Sequence, residues 1–251
     1  MTEFVIIMTL LLFFTLGLLQ IVFIYQAKTN LNYATYEAAR AAAMDHASPT
    51  AVRAGFTRAL APSLVRVSGS RSEANASDTE RNLALVNAIK KARLEFDSYV
   101  KVQRINPTSR MFATNSGWGK SIPQWKIRQE NLSGIVSLYI PNENLLYQNA
   151  TRIKQGVNIQ DANLLKIHTT YCKELIVPFA NRFIQSAYRL VYHDDNNMFT
   201  TDTPPAERAL SDSFINRCLN SLDADGNREY RIPIVATSIM RMQSDAWNYQ
   251  Y

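Results

Sequence analysis

The chain has 251 residues, 47% of them hydrophobic and 19% charged, a net charge of +6 and two cysteines. That length holds one large domain or two small ones, and the balance excludes wholesale disorder. Cys172 and Cys218 form no CxxC pair and have no His-rich neighbour, which excludes a zinc site of familiar spacing.

The hydrophobic residues are concentrated at the start. Phe4 to Tyr25 (FVIIMTLLLFFTLGLLQIVFIY) runs for 22 residues without a charge or a proline. As a helix it is about 33 Å long, enough to cross a hydrocarbon core of about 30 Å. A buried helix of a soluble protein rarely stays uncharged for so long. The apolar core of a cleaved secretory signal is shorter, about 7–15 residues. The run therefore reads as a retained membrane anchor. Thr9 and Thr15 can bond back to helix carbonyls, whereas Gln20 is expected to face another helix or the interface.

No Lys or Arg precedes the run, and the first basic residue is Lys28. Targeting segments normally carry basic residues ahead of the apolar stretch. A short basic leader is therefore expected to have been removed just upstream. Glu3 is the one side-chain charge before the run. Such a carboxylate either pairs with the α-amino group of a neighbouring chain or lies in the headgroup layer. At about 4 Å and an effective dielectric near 20, such a pair attracts by roughly 4 kcal/mol before desolvation is subtracted.

The helical pattern continues through Gln26 to His46 (QAKTNLNYATYEAARAAAMDH), rich in alanine, and Pro49 follows as a stop. One helix from Thr2 to about Ala47 is expected. Ala34, Ala38 and Ala42 recur every fourth residue. Small residues at this spacing admit a close backbone, either the chain's own sheet or a neighbouring helix. Residues 1–48 thus read as a transmembrane and assembly helix, and residues 49–251 as a globular distal domain.

Within that domain a short helix is expected from Ala51, ending near Pro62. An exposed loop at 68–82 holds a capping box, Ser77 with Glu80. A helix then spans Thr79 to Asp97, with Leu85, Ile89, Ala92 and Phe96 on its buried face. Strands are expected at Tyr99–Ile105, Ile135–Ile140, Asn163–Leu175 and Tyr230–Met242. Pro107–Gln129 reads as a long, partly ordered loop. Pro178 fits the first turn of a helix running to Tyr192. Leu165, Ile167, Thr169 and Tyr171 alternate onto one face, and Pro233 places the last strand at an edge or a bulge. The fold class is α+β: a long N-terminal helix packed on a domain with an antiparallel sheet and further helices.

Cys172 and Cys218 are either a disulfide, as in an oxidising envelope compartment, or two free buried thiols. Asp223, Asp225, Asn227 and Glu229 in DADGNRE alternate oxygen ligands, but Gly226 stands in the wrong place for an EF-hand, and a DG turn fits better. His193, Asp194, Asp195, Asn196 and Asn197 read as a polar loop. His46, His168 and His193 stand singly. No HExxH, GxSxG, Walker A or GxGxxG motif occurs in useful context, and nothing sets a base beside a nucleophile. Catalytic, metal and cofactor residues are therefore assigned to none. Residues 51–130 hold 14 basic and 6 acidic residues against 13 and 15 elsewhere. That surplus reads as a solvated face, since no recognisable nucleic-acid module accompanies it.

Three pieces carry a family resemblance: TEFVIIMTLLLFF with Glu3, DANLLKIHTTYCKELIVPFANRFI at Asp161 to Ile184, and RIPIVATSIMRMQSDAW at Arg231 to Trp247. The long half-apolar helix resembles type IV pilin-like proteins, and the three pieces together resemble the TadE family of the Tad (tight adherence) pilus. The resemblance implies a structural, non-enzymatic pilus subunit, a TadE-like minor pilin or filament subunit, that assembles through its N-terminal helix. Implied partners are further copies of the chain or other pilins, a prepilin peptidase and an assembly platform. The implied location is the bacterial inner membrane before assembly and an extracellular filament afterwards. Glu3 and Ala34, Ala38 and Ala42 are the implied assembly residues. In the family the glutamate stands two places further from the processed end than here. The alternative is a single-pass inner-membrane protein with a periplasmic binding or scaffold domain that does not polymerise.

Overall fold

The computed structural model describes residues 2–65, 78–123, 137–149, 151–193, 213–222 and 226–249. Two compact units divide the chain. The first takes Met1–Thr29, Tyr99–Lys101 and Thr170–Val235, and the second takes Asn30–Ser98, Val102–Thr169 and Ala236–Tyr251.

Helix α1 (Thr2–Met44, 43 residues) is the longest element, about 65 Å at 1.5 Å per residue. It stops three residues short of the expected end because His46 and Ala47 take left-handed backbone angles, with φ of 52° and 57°. Pro49 does not act as the stop. It opens helix α2 (Pro49–Leu60), where its missing N–H costs nothing, and the Ser48 side chain caps the first turn. A 3-10 turn, Ala61–Leu64, follows.

Helix α3 (Asp78–Tyr99) matches the expected span and part of the expected face, since Ala92 is buried and Ile89 and Phe96 are half-buried. Its seam is Ala84, Ala88 and Ala92, whereas Leu85 is exposed. The small side chains let the helix approach its unit closely, and Phe96 meets Phe56 of α2 at 5.3 Å between ring centres. Ser77 of the expected capping box lies outside the described residues.

The larger sheet has the order β1-β4-β5, formed by β1 (Val100–Asn106), β4 (Leu164–Glu174) and β5 (Arg231–Arg241). At one end of the β4–β5 pair the Leu175 N–H donates to the Tyr230 carbonyl. At the other the Met242 N–H donates to the Asn163 carbonyl, so the pair is antiparallel. The Asn106 side chain, closing β1, bonds to the Leu164 carbonyl at the start of β4. Tyr99, just ahead of β1, packs against the cluster of Cys172, Phe214 and Cys218 at the far end of β4, so that pair is antiparallel too. Leu165, Ile167, Thr169 and Tyr171 are buried on the central strand, as the alternation requires. β5 is an edge strand, where Pro233 removes no ladder hydrogen bond.

A second antiparallel sheet, wholly in the second unit, joins β2 (Lys120–Ser121), β3 (Leu138–Ile140) and β6 (Ala246–Trp247). The expected loop at 107–129 is thus partly structured, and its residues 124–129 lie outside the described residues. Its glycines are there for space. A Cβ on Gly119 would come within 1.7 Å of the Phe112 carbonyl oxygen. Helix α4 (Ala180–His193) starts two residues after Pro178, which sits in the preceding turn. Residues 213–219 form a further helix, α5.

Candidate assembly and membrane surface

Every described side chain from Phe4 to Thr15 is exposed. Phe4, Leu10 and Phe14 are 68%, 70% and 65% exposed. At about 25 cal/mol per Å2 of apolar surface, such a stretch is strongly driven out of water. This is the one helix among the described residues long and apolar enough to cross a membrane. Glu3 lies in its first turn, and its side chain is outside what the structure describes.

Cover begins at Leu16 and Gly17, both half-buried. Gln20 finds its partner within the chain. It is 1% exposed, and its Oε1 accepts the Val177 backbone N–H at 2.8 Å. The one amide of the apolar run is therefore spent on the turn between β4 and α4 of the same unit. Lys28, just past the run, donates from Nζ to the Val235 carbonyl.

Ala34, Ala38 and Ala42 are fully buried by the chain itself. Gly55 of α2 lies against this stripe. A Cβ there would fall 2.8 Å from the Glu37 carbonyl oxygen and 2.9 Å from the Ala41 Cβ. The alanines let α2 approach α1 closely in the second unit, and their surface is already covered before any partner arrives.

The far end of α1 is closed by the C-terminal block. The Ala43 carbonyl accepts the backbone N–H groups of Gln243, at 2.9 Å, and Ser244, at 3.3 Å. The Ser244 hydroxyl donates to the same carbonyl at 3.2 Å and accepts the His46 N–H at 2.8 Å. These bonds satisfy polar groups that a helix end leaves open.

In the first unit Cys172 and Cys218 are joined by a disulfide, with a Cα–Cα distance of 5.7 Å, tying β4 to α5. Beside it, Arg231 is 3% exposed. Its Nε donates to Glu229 at 2.6 Å, its Nη1 to the Cys172 carbonyl at 3.0 Å, and its guanidinium lies 3.4 Å from the Tyr99 ring centre. Glu229 is thus the counter-ion of a buried arginine. Asp223 and Asp225 lie outside the described residues, as do Asp194, Asp195, Asn196 and Asn197. Gly226 has a positive φ of 80°, and Leu222 and Arg228 form an antiparallel bridge. His168 meets the Thr237 hydroxyl at 3.0 Å across β4 and β5.

The functions of Gln20, Arg231 and the His46 turn escaped the sequence reading. For Gln20 the signal was present: a lone amide in an uncharged run requires a partner. For Arg231 and His46 nothing local distinguished them, because their partners are distant in the chain.

No curated protein and no solved structure matches this chain. A match to a family is found at the N-terminus, and it covers the exposed apolar stretch and most of the alanine stripe of α1. The family model described as TadE-like protein matches residues 1–40, and it is to that family that the N-terminal segment of this chain is similar.

Proposed function

We propose that this chain is a pilin-like structural subunit of a bacterial Tad pilus, a TadE-like minor pilin or filament subunit. The N-terminal half of α1 holds it in the inner membrane before assembly. On assembly that segment leaves the lipid and joins a bundle of like segments, with the distal residues 49–251 displayed outside. Partners on this reading are further copies or other pilins, the assembly machinery and a prepilin peptidase. The observation that carries the reading is the bare apolar stretch Phe4–Thr15 lying within the TadE-like match. Lipid and a bundle of apolar helices are the two environments that cover such a surface on all sides.

The test is to shear the surface of cells expressing the tagged chain and to probe the released filaments and the membranes separately. Recovery in filaments is expected. Retention in the inner membrane alone, with filaments present but lacking the chain, would instead establish a single-pass envelope protein. Filaments containing this chain alone would make it the major subunit.

A further inference from the structure

We infer that the Ile176–Leu190 face of the first unit is a second membrane contact, immersed in the interfacial layer of the lipid bilayer beside the anchor helix. This deepens the anchoring half of the proposed function and rests on it.

Apart from Arg182 and Ser186, the exposed side chains of this segment are apolar, where a water-facing surface would be mostly polar. Ile176, Phe179, Phe183 and Leu190 are 60%, 70%, 67% and 77% exposed. On α4, Phe183, Ala187 and Leu190 fall at i, i+4 and i+7, so they form one stripe. That stripe lies opposite the buried side, where Gln185 donates to the Arg231 carbonyl at 3.0 Å. Phe179 is held at a φ of 64°, a conformation costly for a bulky residue, with its ring left outside the fold.

The depth of this face follows from the Gln20–Val177 hydrogen bond, which pins the segment to α1. Gln20 stands sixteen residues after Phe4, about 24 Å along the helix. If the apolar run fills a hydrocarbon core of about 30 Å, Val177 is held about 6 Å short of its far boundary. Interfacial amphipathic helices bury their apolar faces by about 5–10 Å. A water-facing domain pinned at that depth would be mostly polar there, and this one is mostly apolar. Arg182 borders the stripe with its Nε bonded to the Tyr230 hydroxyl at 2.7 Å, a cation suited to the phosphate layer.

The experiment uses the full chain, disulfide intact, in vesicles of phosphatidylcholine with a minor share of phosphatidylglycerol. A nitroxide is placed singly by Ile176→Cys, Phe183→Cys or Leu190→Cys, with Leu12→Cys as the reference within the span. Collisions with oxygen and with a water-soluble nickel chelate are read by electron paramagnetic resonance. Loss of nickel collisions at all three positions, with oxygen collisions retained at a depth shallower than Leu12, is expected. Nickel access at Phe183 and Leu190 while Leu12 stays protected would overturn the second contact and leave the anchor standing. Nickel access at Leu12 would remove the anchor and this inference together. Strong spin–spin broadening between labels at Phe183, with oxygen excluded, would assign the face to a second copy and overturn the lipid contact.

Discussion

The imidazole of His46 stacks on the indole of Trp247, with ring centres 3.9 Å apart and planes 8° from parallel. The Trp247 backbone N–H also donates to the His46 carbonyl at 3.1 Å, and the Asp245 carbonyl lies 2.9 Å from the His46 Nδ1. The left-handed turn that ends α1 is therefore held by residues two hundred positions later, and the C-terminal block acts as the helix cap.

Trp247→Ala removes this stack and the contact with Ile122 and Tyr139. It is expected to destabilise the second unit by about 3–5 kcal/mol, as for other buried large-to-small changes. Denaturant unfolding of the detergent-solubilised chain, followed by circular dichroism, measures the loss.

Gln20→Leu keeps the apolar character of the run and should insert into membranes normally. It leaves the Val177 N–H without its acceptor, at a cost of about 1–3 kcal/mol. Faster hydrogen exchange at the Val177 amide, with membrane extraction unchanged, is the expected pair of results. Exchange at the wild-type rate would show that the bond carries no weight.

Gly55→Ala drives a methyl against the Glu37 carbonyl and Ala41. Both are fixed helix atoms, so α2 must shift, at about 1–3 kcal/mol for overpacking. A lowered melting temperature, with recovery on Glu37→Gln absent because the clash is with backbone, checks the mechanism.

The Cys172→Ser, Cys218→Ser double variant opens a cross-link between positions 46 apart. Loop-closure entropy for that span gives a loss of about 4 kcal/mol. The effect should be confined to the first unit, read as protease sensitivity around α5 under non-reducing conditions.

Glu3→Ala is expected to lower filament yield while leaving membrane insertion intact. Insertion depends on the apolar run, whereas assembly on this reading uses the carboxylate to meet a neighbouring amine. Normal yield from the variant would remove the pairing.

Local sequence determined the long apolar helix and the central strand β4, and Pro233 confined β5 to an edge or a bulge, of which the fold took the edge. An uncharged run, strict alternation and a proline each act within a few residues of themselves. The face of α3, the partner of Gln20 and the closure of α1 by Gln243 to Trp247 were decided only in three dimensions. Leu85 is a better core residue than Ala84 by hydrophobicity, yet the seam took the alanines, because approach distance is set by what lies across the interface. Gln20 and Arg231 likewise acquire their roles from a backbone N–H and a carboxylate brought in by the fold. A sequence records which groups need partners, and the packing of distant segments assigns which partner each receives.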